Sequence, residues 1–279
     1  MSPRLEKSSM KTEKQTKSNR YGRIIERIFL EKYKDRMTEL TFSREDIARV
    51  AKKIGIRLPK NLGDVIYSFR YRAELPESIR AKAPRGFEWI IRPAGRSKYI
   101  FVATTAATIQ PNVSLVETKI PDSTPGIIAM YALSDEQALL AKLRYNRLID
   151  IFTGVTCYSL QSHLRTFVAD LGQIETDEIY VGVDKRGVHY VFPVQAKGAK
   201  EKISMVQIEQ DIAMCASKFP SLLCRPIAAR FMKQDLIALF ELEQAKSGLG
   251  ISSEKHYLLV EPDNLSQEEL QKYAARNLD

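Results

Sequence analysis

Two apolar segments separated by a turn, within residues 172–197, constrain the fold of this chain more than any other feature. The first segment, Ile179–Val183, is rich in β-forming residues, and the second, Val188–Lys197, is mostly apolar. The turn between them, Asp184–Gly187, ends in glycine, as hairpins with a bulge do. The pattern predicts a β-hairpin built from core strands, followed by a helix over about 203–217.

Polar side chains stand at the open end of this hairpin. Asp177, with Glu175 and Glu178 beside it, precedes the first strand, and Gln195 and Lys197 close the second. Antiparallel partners bring the start of one strand beside the end of the next. We therefore expect these acidic, amide and lysine side chains at one edge of a sheet.

The first hundred residues carry a different pattern. Three short segments with helical spacing of their apolar residues are followed by two apolar runs around a turn, which predict a hairpin. The predicted helices cover about 20–36, 44–54 and 61–72. Ser43, with Asp46 three residues later, has the spacing of a capping box for the second helix.

Three short helices followed by a hairpin resemble a winged helix-turn-helix domain over residues 20–105. In that fold the third helix enters the major groove of DNA, where arginine and asparagine read base edges. The outward side of the third helix here would present Asn61, Tyr67, Ser68, Arg70 and Arg72. The alternative is that these residues form the solvated face of a small helical bundle.

Charge divides the chain in a similar way. Residues 1–100 hold 25 Lys and Arg against 12 Asp and Glu, whereas residues 101–279 hold 18 against 22. Such asymmetry suggests a basic module that binds a polyanion, attached to a module with another role. Residues 1–19 are polar and lysine-rich without aromatic side chains, so we expect a disordered basic tail there.

The remaining segments have a coarser pattern. Residues 106–133 contain several turn signals and are expected to connect the two modules, with the apolar stretch 126–133 as a strand. Ser134 is expected to cap a long helix that begins a second domain over 134–279. Two more strands are expected within residues 223–243.

Composition excludes several classes of protein. No apolar run reaches the roughly 18 residues that a membrane span needs, and the N-terminus lacks the apolar segment of a secretory signal. The three cysteines, Cys157, Cys215 and Cys224, form no CxxC pair, which argues against a disulfide framework and a structural zinc site. We therefore expect a cytoplasmic protein without a membrane partner.

The acid, the hairpin, the polar-x-Lys triplet and the following helix resemble the PD-(D/E)xK nuclease superfamily in its Gln-x-Lys variant. The resemblance covers about residues 134–260 and implies an α/β fold, a restriction-endonuclease-like mixed-sheet core, here preceded by the small winged-helix-like domain. It places Asp177 in the first acidic position and Gln195-Ala196-Lys197 in the triplet. It implies that Asp177 and Gln195 bind Mg²⁺ and that Lys197 orients or helps to deprotonate the attacking water.

A second acid is needed because Gln195 offers only a neutral carbonyl oxygen where a carboxylate is usual. Some superfamily members place this acid on the helix after the triplet, which makes Glu209 the candidate ligand. Glu175 and Glu178 are alternatives. Arg165 is either a solvated side chain or a contact to a DNA phosphate.

The resulting interpretation is a Mg²⁺-dependent endonuclease of double-stranded DNA, of the type II restriction or genome-defence kind. Members of the superfamily often act as homodimers that cut both strands, so we expect a homodimer. One alternative is a DNA-binding regulator whose second domain keeps the nuclease fold without the activity. Gln195 favours that alternative, whereas Asp177 and Lys197 oppose it. Another alternative is a nuclease that acts on RNA or on branched or damaged DNA.

Overall fold

Two hydrophobic cores organise the chain, one in each of two units. In the computed structural model, the described residues are 20–60, 62–71, 73–105, 108–132, 134–169, 171–233, 235–245 and 248–276. The first unit extends to residue 108 and includes residues 169–172, and the second comprises 109–168 and the residues from 173 onward. None of the described helices combines the length and the apolar character that crossing a membrane requires.

The first unit packs short helices against a three-stranded antiparallel sheet. Its helices are α1 (20–32), α2 (Arg44–Lys53), α3 (Gly63–Tyr71) and α4 (Glu77–Arg80). Its strands are β1 (Glu39–Ser43), β2 (Glu88–Pro93) and β3 (Lys98–Thr104), in the order β1-β3-β2. The three predicted helices and the predicted hairpin are confirmed. The strand β1 is not among the predicted elements, although its buried Leu40 and Phe42 alternate with exposed Glu39 and Thr41 as in a half-buried strand.

Aromatic side chains form the centre of this unit's core. Phe29 on α1 is fully buried, and its ring centroid lies 5.1 Å from those of both Trp89 and Phe101 in edge-to-face contacts. Such pairs add about 0.5–1.5 kcal/mol beyond the burial of apolar area. The predicted capping box is confirmed, since Asp46 N donates to Ser43 Oγ (3.3 Å) and Ser43 N donates to Asp46 Oδ2 (2.9 Å). A core and caps of its own are what an independently folding domain needs.

The second unit is a mixed α/β fold around one large sheet, and the predicted α/β class is confirmed. Its helices are α5 (Gly126–Tyr131), α6 (Asp135–Tyr145), α7 (Leu148–Thr153), α8 (Met205–Lys218) and α9 (Gln267–Ala274), with a 3₁₀ turn at Pro262–Asn264. The strands from residue 108 onward are β4 (Thr108–Ile109), β5 (Glu117–Pro121), β6 (Thr156–Val168), β7 (Gly172–Val183), β8 (His189–Lys197), β9 (Ile203–Ser204), β10 (Leu223–Cys224), β11 (Ile227–Lys233), β12 (Leu236–Ala245) and β13 (Gly248–Val260). The sheet has the order β5-β13-β12-β11-β8-β7-β6, and β10 also pairs with β8.

The strand β8 lies inside this sheet and carries the polar triplet at its end. It pairs antiparallel with β7 and parallel with β11. A parallel neighbour requires a crossover connection, and α8 lies within the segment that connects β8 to β11. Leucines of α6 pack in the same core cluster as Phe192 and Val194 of β8. Neighbours on both edges and a packed helix therefore hold β8 in place.

Two predictions for the region around residue 134 are wrong. The apolar stretch expected as a strand forms α5, which follows Pro125 and has no buried residue. The fixed φ of a proline suits the start of a helix, and exposed side chains gain nothing from a core strand. The single long helix expected after Ser134 is two helices, because Arg147 adopts the left-handed conformation (φ 50°) between α6 and α7.

Candidate functional site

An ion pair connects the two strands of the central hairpin. Lys197 Nζ lies 3.1 Å from Asp177 Oδ2, and Ala196 N donates to the same oxygen at 2.8 Å. Only 12% of the Lys197 side chain and 9% of the Asp177 side chain are exposed. Burial opposes the charged form of Lys197, but the adjacent Asp177 carboxylate outweighs it, so the pKa of Lys197 is raised. Lys197 therefore carries its proton at neutral pH.

Two side chains that no sequence motif indicates approach Asp177 from other elements. Glu136 lies in the first turn of α6, whose start is fixed by a hydrogen bond from Gln137 N to Ser134 Oγ (3.2 Å). His163 lies in β6. One ligand atom from each of Glu136, His163 and Asp177 lies within 4.8 Å of the other two. Burial, followed by the charge of Asp177, raises the pKa of Glu136.

These three side chains could hold a metal ion. Carboxylate oxygens suit Mg²⁺ and Mn²⁺, and an imidazole nitrogen is a ligand for first-row transition ions. Lys197 and Ala196 both donate to Oδ2 of Asp177, while no described residue donates to its Oδ1. The donor set therefore fits a divalent cation. We call Glu136, His163, Asp177 and Lys197 together the Asp177 cluster.

Gln195 takes part in a different set of contacts. Its side chain is 1% exposed, and its Nε2 donates to Asp211 Oδ2 at 2.9 Å and to the Glu175 carbonyl oxygen at 3.3 Å. Its Oε1 accepts a hydrogen bond from Gln207 Nε2 at 3.3 Å. Both ends of the amide are therefore bonded inside the protein, and the oxygen expected to bind Mg²⁺ faces α8.

Asp211 on α8 is the buried carboxyl at the centre of these contacts. Thr176 Oγ1 donates to its Oδ1 at 2.6 Å, and burial raises the pKa of Asp211 to about 7. We call Thr176, Gln195, Gln207 and Asp211 the Asp211 network. A sequence signal for Asp211 exists, because an acid between Ile208 and Met214 on a buried helix face is unusual.

Two of the other acids considered as a second ligand are paired with arginines. Glu178 is fully buried and forms an ion pair with Arg144 at 2.7 Å. Glu175 pairs with Arg165 at 3.0 Å, where 66% of the arginine side chain is exposed. Glu209 is half-buried on α8. The structure therefore places Glu136, and not one of these three acids, in the group that could hold a metal ion with Asp177.

The candidate DNA-reading residues lie on or beside α3 in the first unit. Tyr67 is exposed, whereas Ser68 and Arg70 are half-buried. Asn61 and Arg72 lie outside the described residues. Of the candidate residues in the described part of α3, only the ring of Tyr67 is thus exposed, and Nε and Nη2 of the Arg70 guanidinium are buried.

We expect Gln195→Glu to destabilise the second unit at pH 8. The new carboxylate would face Asp211 Oδ2 and the Glu175 carbonyl oxygen, to which the amide now donates. Leaving an uncompensated charge in a buried site costs about 3–5 kcal/mol. Urea denaturation followed by circular dichroism measures the change in unfolding free energy. Gln173→Glu, at an exposed position of β7, is the matched control. Equal stability of wild type and Gln195→Glu would contradict the structural role of the amide.

Similarity to characterised proteins does not identify this chain. No family model matches it, and no curated protein or solved structure is significantly similar to it. Its function has therefore to be inferred from the side chains gathered around Asp177.

Proposed function

We propose that the chain is a metal-dependent endonuclease that hydrolyses phosphodiester bonds in double-stranded DNA. The observation that carries the proposal is the Asp177 cluster, which combines a buried ion pair with a second carboxylate and an imidazole. Hydrolysis of a phosphodiester needs positive charge beside the developing negative charge, together with an oriented water. The cluster contains the residue types for both tasks.

Each side chain of the cluster has a role in this proposal. Glu136, His163 and Asp177 would hold a divalent cation such as Mg²⁺ or Mn²⁺. When bound, such a cation stabilises negative charge on the phosphate and lowers the pKa of a water. Lys197, which lies 3.1 Å from Asp177, would supply positive charge at the phosphate and orient or help to deprotonate the attacking water. One water oxygen bonds to phosphorus and gives up a proton, one P–O ester bond breaks, and the leaving oxygen takes up a proton in exchange.

The element order of the second unit supports a restriction-endonuclease-like core. A helix pair, α6 and α7, precedes the strands β6, β7 and β8, and α8 leads from them to β11, which is parallel to β8. The acid lies on β7, the Gln-x-Lys triplet lies on β8, and a helix follows. This is the order that the resemblance to the PD-(D/E)xK superfamily implies.

The first unit supports the DNA-binding part of the proposal. The order α1-β1-α2-α3-α4-β2-β3, with the antiparallel sheet β1-β3-β2, is compatible with a winged-helix-like domain whose wing is the β2–β3 hairpin. Residues 1–100 carry 25 basic against 12 acidic side chains. A domain with an excess of basic side chains is suited to the phosphates of DNA.

Incubation of the full chain with supercoiled plasmid DNA, in Mg²⁺, in Mn²⁺ and in EDTA, tests the proposal. Discrete bands that require metal are the expected result. Linear product without accumulation of nicked circles would indicate that both strands are cut together, as in a homodimeric restriction enzyme. Parallel reactions with an RNA transcript and with a branched duplex identify the substrate class. Intact DNA in every metal condition would contradict endonuclease activity on duplex DNA.

A DNA-binding regulator with an inactive nuclease-like unit is the second candidate function. The observation that favours it is the Asp211 network, in which both ends of the Gln195 amide are already hydrogen-bonded. Under this alternative the full chain shifts the DNA in a gel but leaves it uncut with either metal.

We expect a fragment of residues 1–105 to bind duplex DNA on its own. Its core residues all lie between Ile24 and Ala103, so the fragment keeps a complete core. Because Lys and Arg contacts release counterions from DNA, the affinity should fall steeply between about 50 and 200 mM salt. Fluorescence anisotropy of a labelled duplex measures this dependence. The fragment 109–279, from the part of the chain with an acidic excess, is the control. Equal binding by that fragment would contradict the assignment of DNA affinity to the first unit.

A further inference from the structure

His163 has an unusual place in the second unit. It lies in β6, the last strand of the sheet order, with an exposed side chain and a left-handed backbone (φ 49°). Residues other than glycine rarely adopt this conformation, and such residues concentrate at functional sites. The left-handed backbone also breaks the regular alternation of side chains along a strand. The imidazole therefore comes near Glu136 and Asp177 through a local departure from strand geometry.

The other histidines of the chain lie in different surroundings. The chain has three histidines in all. His189 is exposed at the start of β8, and His256 is buried with its Nε2 2.8 Å from Glu254 Oε1. His163 is thus the one histidine of the chain that lies beside the carboxylates of Glu136 and Asp177.

We infer that His163 binds the metal ion through an imidazole nitrogen and makes this site select Mn²⁺ over Mg²⁺. The inference rests on the proposed metal-dependent function and names the class of ion that it uses. Mg²⁺ prefers oxygen ligands and retains several waters, so it gains little from an imidazole. Mn²⁺ also favours carboxylate oxygen, but as a first-row transition ion it binds an imidazole nitrogen more readily than Mg²⁺ does. The carboxylates of Glu136 and Asp177 can bind either ion. The imidazole of His163 is therefore the ligand that favours Mn²⁺ over Mg²⁺.

Electron paramagnetic resonance of Mn²⁺ bound to the full chain tests this inference directly. Electron spin-echo modulation from a coordinated ¹⁴N nucleus is the expected signature in the wild type. It should be absent in His163→Gly and present in His189→Ala, the matched control. His163→Gly keeps a residue suited to a positive φ, and His163→Asn is a second variant that also tolerates it. Circular dichroism verifies that each variant is folded.

Affinities give a second measurement. Loss of a direct ligand should weaken Mn²⁺ binding by at least about tenfold. Competition with Mg²⁺ should show a much smaller change for that ion, so the preference for Mn²⁺ falls in His163→Gly. Bound Mn²⁺ without ¹⁴N modulation in the wild type, or unchanged selectivity in His163→Gly, would overturn the inference and leave the proposed nuclease function standing. A wild-type chain that binds neither ion would overturn both.

Discussion

Replacing Lys197 by glutamine should slow metal-dependent DNA cleavage by about 10²–10³-fold, the loss typical of removing a group that stabilises charge in the transition state. The new amide can still donate a hydrogen bond to Asp177, whose Oδ2 lies 3.1 Å from Nζ in the wild type, but it carries no positive charge. Asp177→Asn should have an equally large effect, because it removes one of the two carboxylates that would hold the cation. Single-turnover cleavage of plasmid DNA at saturating metal measures both variants.

Activity has to be separated from folding in this experiment, because the ion pair is mostly buried. Removing one partner of a buried pair costs about 3–5 kcal/mol of stability. The double variant Asp177→Asn/Lys197→Gln leaves no unpaired charge, so it should be more stable than Asp177→Asn and no more active. Lys185→Ala removes an exposed lysine in the turn between β7 and β8 and should cleave at the wild-type rate. Wild-type rates in Lys197→Gln would exclude Lys197 from the mechanism.

The stability of the second unit should fall between pH 5 and pH 8 because of Asp211. Burial raises the pKa of this carboxyl from 3.8 to about 7, so in this range the native state binds a proton that the unfolded chain has already released. Stability therefore decreases as pH rises, and the decrease ends above the native pKa. Two pKa units of difference within this window correspond to about 3 kcal/mol.

Asp211→Asn should remove this pH dependence. The asparagine carbonyl can accept from Gln195 Nε2, and its amide can donate to the Thr176 hydroxyl, so the network keeps its hydrogen bonds. Urea denaturation followed by circular dichroism at pH 5 and at pH 8 compares the variant with wild type. Fluorescence of Trp89, the single tryptophan, reports the first unit and should not differ between them. Asp263→Asn is an exposed control. Parallel pH profiles of wild type and Asp211→Asn would show that Asp211 is ionised in the native state.

The hairpin of β7 and β8 could be predicted because its signals are local. Its apolar strands and its glycine-ended turn follow one another directly, and Gln195 and Lys197 end the second strand. The structure extends β7 back to Gly172, so Asp177 lies within the strand and not before it. Even so, the spacing alone was enough to expect Asp177 and Lys197 at the same end of the hairpin.

The rest of the site could not be predicted because it depends on tertiary packing. Glu136 looks like an ordinary acid in the first turn of a helix, a position that favours acids for reasons unrelated to catalysis. His163 lies in β6, where most side chains are exposed, so the strand shows no apolar alternation. The contact between Gln195 and Asp211 depends on how α8 packs on the sheet. The apolar positions of α8 predict which face of the helix is buried, but not which side chains of the sheet that face contacts.

Because Gln195 and Asp211 are hydrogen-bonded, the residues that evolution can accept at position 195 depend on the residue at position 211. A lineage that replaced Asp211 by an uncharged residue could accept a carboxylate at position 195 and regain an acidic triplet. A lineage that kept Asp211 could not, because two carboxylates would meet in the same buried space. Glutamine at position 195 would then reflect the presence of Asp211 on α8, which packs against the sheet. Presence of Gln-x-Lys in descendants of this chain would not separate cleaving members from inactive ones.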